Sequence, residues 1–244
     1  MNKKFRLVLS HQNSAKVNMA TDEALALCFE EHDTPILRLY TWEKSFTIGV
    51  GQKISQYEYL DEYKGNYAKR ITGGGVLFHG SDLSYSLIIP PKYLDGLNVK
   101  ESYEKICSFL LAFYKQLGLD AKYVKDDENL QLSKSQFCQV GFEAYDIVVS
   151  GLKIGGNAQR RTKKFIFQHG SIPILKVDEK SNLKSEIGHD LHDLGIDISF
   201  EKAQELLIEV FQNTFDVSLE TSGLNKKEEE KLTFLLKDKY DYAK

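Results

Sequence analysis

The sequence predicts an α+β fold, a mixed and mostly antiparallel sheet with packed helices. Three observations predict it. Short β-branched and aromatic runs recur through the first 175 residues, helical stripes interrupt them, and the pattern turns helical from about residue 180. Apolar residues make up 42% of the 244, enough for one substantial core. Residues 1–244 therefore read as a single domain with a helical C-terminal part.

The elements follow in order. Asn18 suits a helix cap, and Ala20, Ala24, Leu27 and Cys28 share one side of the helix it would open. Residues 36–41 and 46–50 read as strands. A triple glycine, Gly73-Gly74-Gly75, precedes a buried strand over residues 84–89, which Pro90-Pro91 ends because proline lacks a ladder donor. Next comes an amphipathic helix with Tyr103, Ile106, Cys107, Leu110, Leu111, Tyr114 and Leu117 at helical spacing. Residues 124–136 are polar and read as an exposed loop. Residues 145–149 form a strand, Ser150-Gly151 a two-residue turn, and Leu152-Lys153-Ile154 the returning partner. Gly155-Gly156 follows, and two separate strands fit residues 164–168 and 171–175, the second placed at an edge by Pro173. Ser199 caps a helix whose stripe is Ala203, Leu206, Leu207, Val210 and Phe211. Residues 226–244 form a last, charged surface helix.

Composition excludes several function classes. A net charge of −3 with mixed signs argues against nucleic-acid binding by phosphate neutralisation. No apolar run reaches the roughly 20 residues that span a bilayer. The basic N-terminus carries too short an apolar run for a signal peptide, so a cytoplasmic protein is expected. Three widely spaced cysteines suggest neither a disulfide framework nor a zinc site.

The residues that carry chemistry gather around glycines. Ordering three consecutive glycines is costly, and such a run makes sense where a backbone approaches a ligand or turns sharply. Arg70 stands just before it and His79 just after. Cys28 and Cys107 lie on apolar helix faces and read as core. Cys138 ends a polar loop, where a thiol is either inert or, if exposed beside a cation, a nucleophile. Lys153 either points to solvent from a hairpin or holds a carbonyl or phosphate beside Gly155 and Gly156. His79 and His169 read as structural histidines bonded to loop backbone. Asp82 suits a turn cap or a residue that orients the loop, and Asp146 faces a cleft or water. The run Arg160-Arg161-Thr162-Lys163-Lys164 is a solvated face or a surface for an acidic partner.

Several blocks in one order carry a family resemblance. They are Asn18 to Ala24, Leu37 to Trp42, Arg70 to His79, Lys153 to Gln159, and Gln168 to Ile172. Together they resemble the lipoate-protein ligase and octanoyltransferase superfamily, which is related to the biotin protein ligases. The resemblance implies the corresponding catalytic-domain fold and a slot for an octanoyl or lipoyl group. It implies that Arg70, Gly73, Gly74, Gly75, His79, Gly155, Gly156, Ala158 and His169 line that slot, and that Lys153 contacts the acyl carbonyl. Cys138 lies 15 positions before Lys153, as the nucleophile does in the cysteine-dependent transferase branch. That branch takes octanoate from acyl carrier protein, or from another carrier, through a cysteine thioester and needs no cofactor. The acceptor is a lysine of a lipoyl domain or of the glycine-cleavage H protein. The ligase branch, which uses ATP and Mg to form an acyl-adenylate, is the alternative. A third is a non-catalytic protein that binds an acyl group or its carrier. Lys69 stands where the family often has an arginine, and Asn157 where it has a small serine.

Overall fold

A computed structural model describes residues 3–56, 63, 65–133, 135–138, 140–175 and 187–241. Strands β1 (Lys3–Asn13), β2 (Ile36–Trp42), β6 (Asp82–Ile89), β7 (Ala121–Tyr123), β8 (Ile147–Val149), β9 (Leu152–Arg161), β10 (Ile166–Pro173) and β11 (Val217–Thr221) form one sheet, in the order β11-β1-β2-β6-β10-β9-β8-β7. β1 pairs in parallel with β2 and β11, and the other pairings are antiparallel. A smaller sheet, β4-β3-β5, comes from β3 (Ser45–Ile48), β4 (Tyr67–Lys69) and β5 (Leu77–His79). The expected mixed, mostly antiparallel α+β architecture is the one found.

Strand alternation divides the large sheet into two chemically different faces. Leu37, Leu39, Leu83, Tyr85, Leu87 and Ile89 join helices α2 (Val99–Gln116) and α3 (Phe200–Phe215) in the largest apolar core, with Phe109, Phe113, Leu207 and Phe211. The opposite face carries Arg38, Tyr40 and Trp42 of β2, Asp82, Ser84 and Ser86 of β6, and His169 and Ser171 of β10. Helix α1 (Ala15–Cys28) lies against this face and packs on α4 (Lys226–Asp238). This face is polar because it holds the site.

Four expectations are corrected. Ser14, not Asn18, caps α1: its hydroxyl accepts from Val17 N, while Asn18 sits inside the helix, buried and bonded to Arg38 and to the Thr41 carbonyl. Leu27 is half exposed and lies off the buried stripe. Gly155-Gly156 does not interrupt β9, and the two strands expected over 164–168 and 171–175 are one, β10 (Ile166–Pro173), which lies between β6 and β9 and not at an edge. Pro173 is its last residue, past the end of the β9 pairing at Ser171, so its missing N–H costs no bond on that side. Strands β1 and β11 lie where none was expected, β11 within the region read as helical. The opening of that region, residues 176–186, lies outside the described residues. The described helices include none long and apolar enough to cross a membrane.

Candidate active site

A cleft of about 440 Å³ opens on the polar face of the sheet. One wall is the glycine loop between β4 and β5, another the segment around Cys138, and the floor comes from β2, β9 and β10. Arg70, Gly73, Gly74, Gly75, His79, Cys138, Lys153, Gly156, Ala158 and His169 all line it. Gly155 does not. A Cβ placed there would meet Ile147 and the Tyr114 hydroxyl at 3.6 Å, on the core side.

A β-bulge explains the difference. Ile147 pairs with Gly155 but Val148 with Lys153, so β9 has one extra residue opposite β8. Ile154 and Gly155 both turn to the core, where Tyr114 donates to the Ile154 carbonyl at 2.6 Å. Lys153 and Gly156, which a regular strand would send to opposite faces, then both reach the cleft.

The three loop glycines stand in three different settings. Gly75 lies under the cysteine segment: a Cβ there would sit 2.3 Å from the Gln136 carbonyl oxygen. Gly74 has φ +98°, and its own carbonyl oxygen lies 2.1 Å from where a Cβ on Gly49 would be. Gly73 has nothing within 4 Å of its Cβ position. The two segments are joined by main-chain bonds, Val76 N to Gln136 O at 2.8 Å and Cys138 N to Val76 O at 2.7 Å. Cys138 Sγ then lies 3.7 Å from the Cβ position of Gly74 and 3.8 Å from that of Gly156.

Lys153 is 3% exposed and does not point to solvent. Its ammonium pairs with Asp146 at 2.6 Å and donates to the carbonyls of Cys138 and of Gly141, the latter at 2.7 Å. It therefore clamps the cysteine segment from below. Burial pushes the Asp146 carboxyl above the ordinary carboxylate range, a rise that Lys153 partly offsets. Arg70 donates to Thr47 Oγ1 at 2.8 Å and to the Gly73 and Gly75 carbonyls at 3.1 and 2.7 Å, which fixes the glycine loop.

Both histidines bond side chains rather than loop backbone. His79 contacts Thr47 Oγ1 and Asp82, each at 2.9 Å, and His169 contacts Thr72 Oγ1 at 2.7 Å. Burial pushes the His169 imidazole below its ordinary 6.5, against the pull of Asp22. Asp22 is claimed by Arg38 at 2.6 Å, by Tyr40 and by Ser86, and lies 3.8 Å from His169. Burial would raise its carboxyl, but Arg38 and His169 hold it below the usual range.

Met19, Tyr40, Trp42, Leu77, Tyr103 and Phe137 give the cleft an apolar lining that reading the sequence missed. The alternation of β2 was the available signal, because it puts Arg38, Tyr40 and Trp42 on one face. No group of three or more His, Cys, Asp or Glu among the described residues is placed to hold a metal ion. A thiol, a buried ammonium and main-chain groups around an apolar slot suit acyl transfer.

Known proteins are similar to this chain in sequence and fold. The lipoyl protein ligase A/B catalytic domain family matches residues 14–185. The octanoyltransferase LipM of Macrococcus caseolyticus is 32% identical over 235 residues, which cover 88% of this chain and 85% of the relative. The octanoyltransferase LipM of Kyrpidia tusciae is 30% identical over 273 residues, covering 98% and 99%. Among solved structures, a bipartite lipoate protein ligase from Thermoplasma acidophilum superposes with a TM-score of 0.76 at 23% identity, covering 97% of this chain and 93% of that one, a likeness of fold.

Proposed function

Because the chain belongs to the lipoyl protein ligase A/B catalytic domain family, we propose that it is an octanoyltransferase that acylates a lysine of a lipoyl domain or of the glycine-cleavage H protein, working as one catalytic unit over residues 1–244. Relatives that cover 88% and 98% of the chain are named octanoyltransferases, which supports the transfer of an octanoyl group. One observation supports the cysteine route above all. The Cys138 thiol stands on the cleft wall between the glycine loop and β9, with the Lys153 ammonium bound to its own carbonyl.

In this reading the octanoyl chain lies along Trp42, Leu77 and Phe137. The Cys138 sulfur attacks the thioester carbonyl of acyl carrier protein or another carrier, and the carrier thiol leaves with a proton. The ammonium of Lys153 exchanges one of its carbonyl partners for the developing oxyanion. The target amine then attacks the new thioester, forming the amide and returning the Cys138 thiol. Thioester exchange is nearly balanced and the amide lies downhill, so the sequence runs without ATP or a metal.

The ligase alternative needs cations for ATP with Mg. There the glycine loop and Lys153 would hold the adenylate and the Cys138 thiol would have no part, whereas the place of that thiol on the cleft wall supports the transferase. The test is intact mass spectrometry after incubation with octanoyl-acyl carrier protein. The wild type gains one octanoyl group, Cys138→Ala gains none, and its transfer to H protein falls by about 10³-fold or more. Full transfer by Cys138→Ala would remove the cysteine mechanism. Pyrophosphate release that depends on octanoate or lipoate would favour the ligase, and binding without transfer the non-catalytic reading.

A further inference from the structure

Asp82 opens β6, is 3% exposed and is not among the residues lining the cleft. Its Oδ2 nevertheless gathers three side chains: His79 Nδ1 at 2.9 Å, Ser84 Oγ at 3.0 Å and Ser171 Oγ at 2.8 Å. Its Oδ1 accepts from Gly80 N at 3.2 Å. Burial alone would raise this carboxyl, but His79 and the two serine hydroxyls hold it below the usual range, as suits a hub made only of donors.

Two of these contacts run on into the cleft. Ser84 Oγ gives its hydrogen to Asp82 and accepts from Trp42 Nε1 at 2.9 Å, which fixes the indole edge. The His79 ring stacks on the same indole, with centroids 3.7 Å apart and planes 14° from parallel. The second path is a chain of hydrogen bonds with one consistent sense. Arg70 Nη1 donates to Thr47 Oγ1, and with the ring hydrogen assigned to His79 Nδ1, facing the Asp82 carboxylate, the Thr47 hydroxyl donates to Nε2 and Nδ1 donates to Asp82. The other terminal nitrogen of Arg70 grips the Gly73 and Gly75 carbonyls.

We propose that Asp82 is the positioning residue for the floor and the glycine wall of the cleft, setting the Trp42 indole in the one and the glycine-loop carbonyls in the other. The arrangement needs an acceptor at the Oδ2 place. Asp82→Asn keeps one when its NH2 takes the Oδ1 place, where it meets only Gly80 N. Asp82→Ala removes it, which leaves His79 Nδ1, Ser84 and Ser171 without their common acceptor and the His79 ring free to turn away from Thr47 and the indole. The effect of Asp82 on chemistry is indirect and rests on the reading that the cleft holds an octanoyl group.

Trp42 is the chain's single tryptophan, so its fluorescence reports on the floor directly. The experiment compares wild type, Asp82→Ala, Ser84→Ala and Thr47→Val by acrylamide quenching of Trp42, thermal melting, and KM and kcat for octanoyl transfer from octanoyl-acyl carrier protein. Asp82→Ala is expected to raise KM about tenfold, with kcat changed less, and to raise quenching about twofold. Ser84→Ala should reproduce the quenching change and Thr47→Val the KM change. A folded Asp82→Ala with KM and quenching near wild type overturns the proposal, as does a lowered melting temperature with neither readout moved. If Asp82→Ala does not fold, the two single-arm variants decide, and wild-type behaviour in both overturns it. A wild type that transfers no octanoyl group defeats the transferase reading instead, and the quenching series still tests Asp82.

Discussion

The two walls that meet at the thiol are built in opposite ways. The glycine wall is held mostly from within: Arg70, His79 and Thr47 are buried and bonded to one another or to the loop, and buried Thr72 is tied to His169 of β10. The cysteine wall has little interior of its own. Ser135, Gln136 and Val140 are exposed, and Phe137 anchors it to Phe78 by ring stacking. Its place comes from the Val76 main chain on one side and the Lys153 ammonium on the other. The thiol therefore takes its position from a loop more than 60 residues away and from a strand that follows it. A preorganised site needs only one self-supporting wall if the second is registered against it.

Breaking the Lys153 clamp gives the largest expected effect. Lys153→Met strands Asp146 in a buried place and should cost about 3–5 kcal/mol of stability in chemical denaturation. Adding Asp146→Asn removes the stranded charge and should restore most of that stability, while octanoyl transfer stays at least about 10²-fold down. Transfer restored along with stability would mean that the clamp alone matters. Gly75→Ala tests the registration between the walls. Its Cβ collides with the Gln136 carbonyl, so it should cost about 1–3 kcal/mol and disturb both Val76 bonds. Cys138 alkylation, read by mass, should change in rate while buried Cys28 and Cys107 stay protected.

Acid strikes the glycine wall more gently. His169 has its imidazole depressed below 6.5 in the folded protein, so the unfolded chain binds the proton more readily. The stability it contributes is fully present above pH 6.5 and is lost as the pH falls below that value. His169→Gln should flatten this slope in melts between pH 7 and 5. The smallest effect belongs to Gly73→Ala, where open space around the Cβ position predicts less than about 0.5 kcal/mol. Equal costs at Gly73 and Gly75 would collapse the distinction between a loop shaped for itself and one shaped for its neighbour.

The sequence made the glycine wall legible because the signal is local. Gly73, Gly74, Gly75, Arg70 and His79 sit within ten residues, and the strand after them has an unbroken apolar and hydroxyl pattern. Helices α2 and α3 were legible for the same reason, their stripes and the Ser199 cap being contiguous. What escaped depends on partners far away. Nothing near Cys138 announces that Gln136 rests on Gly75. The bulge that aims Lys153 depends on β8 as much as on β9, so Gly155 was taken for a cleft residue when it faces the core. Asn18 has the chemistry of a cap, but Arg38 and the Thr41 carbonyl use it instead. Strand β1 begins with two lysines, and β11 is five residues long; each is stabilised by the other, which no local window contains.

That last pairing sets the order in which the protein can be completed on the ribosome. β1 leaves the tunnel early and finds β2 soon afterwards, but its outer edge waits for Val217–Thr221. Until then a row of unpaired main-chain groups stays open to other nascent chains. The Arg6–Glu228 pair at 2.7 Å and the packing of α4 on α1 follow only after that edge is covered. Shortening the chain before β11 should therefore harm yield through self-association while sparing every group that lines the cleft.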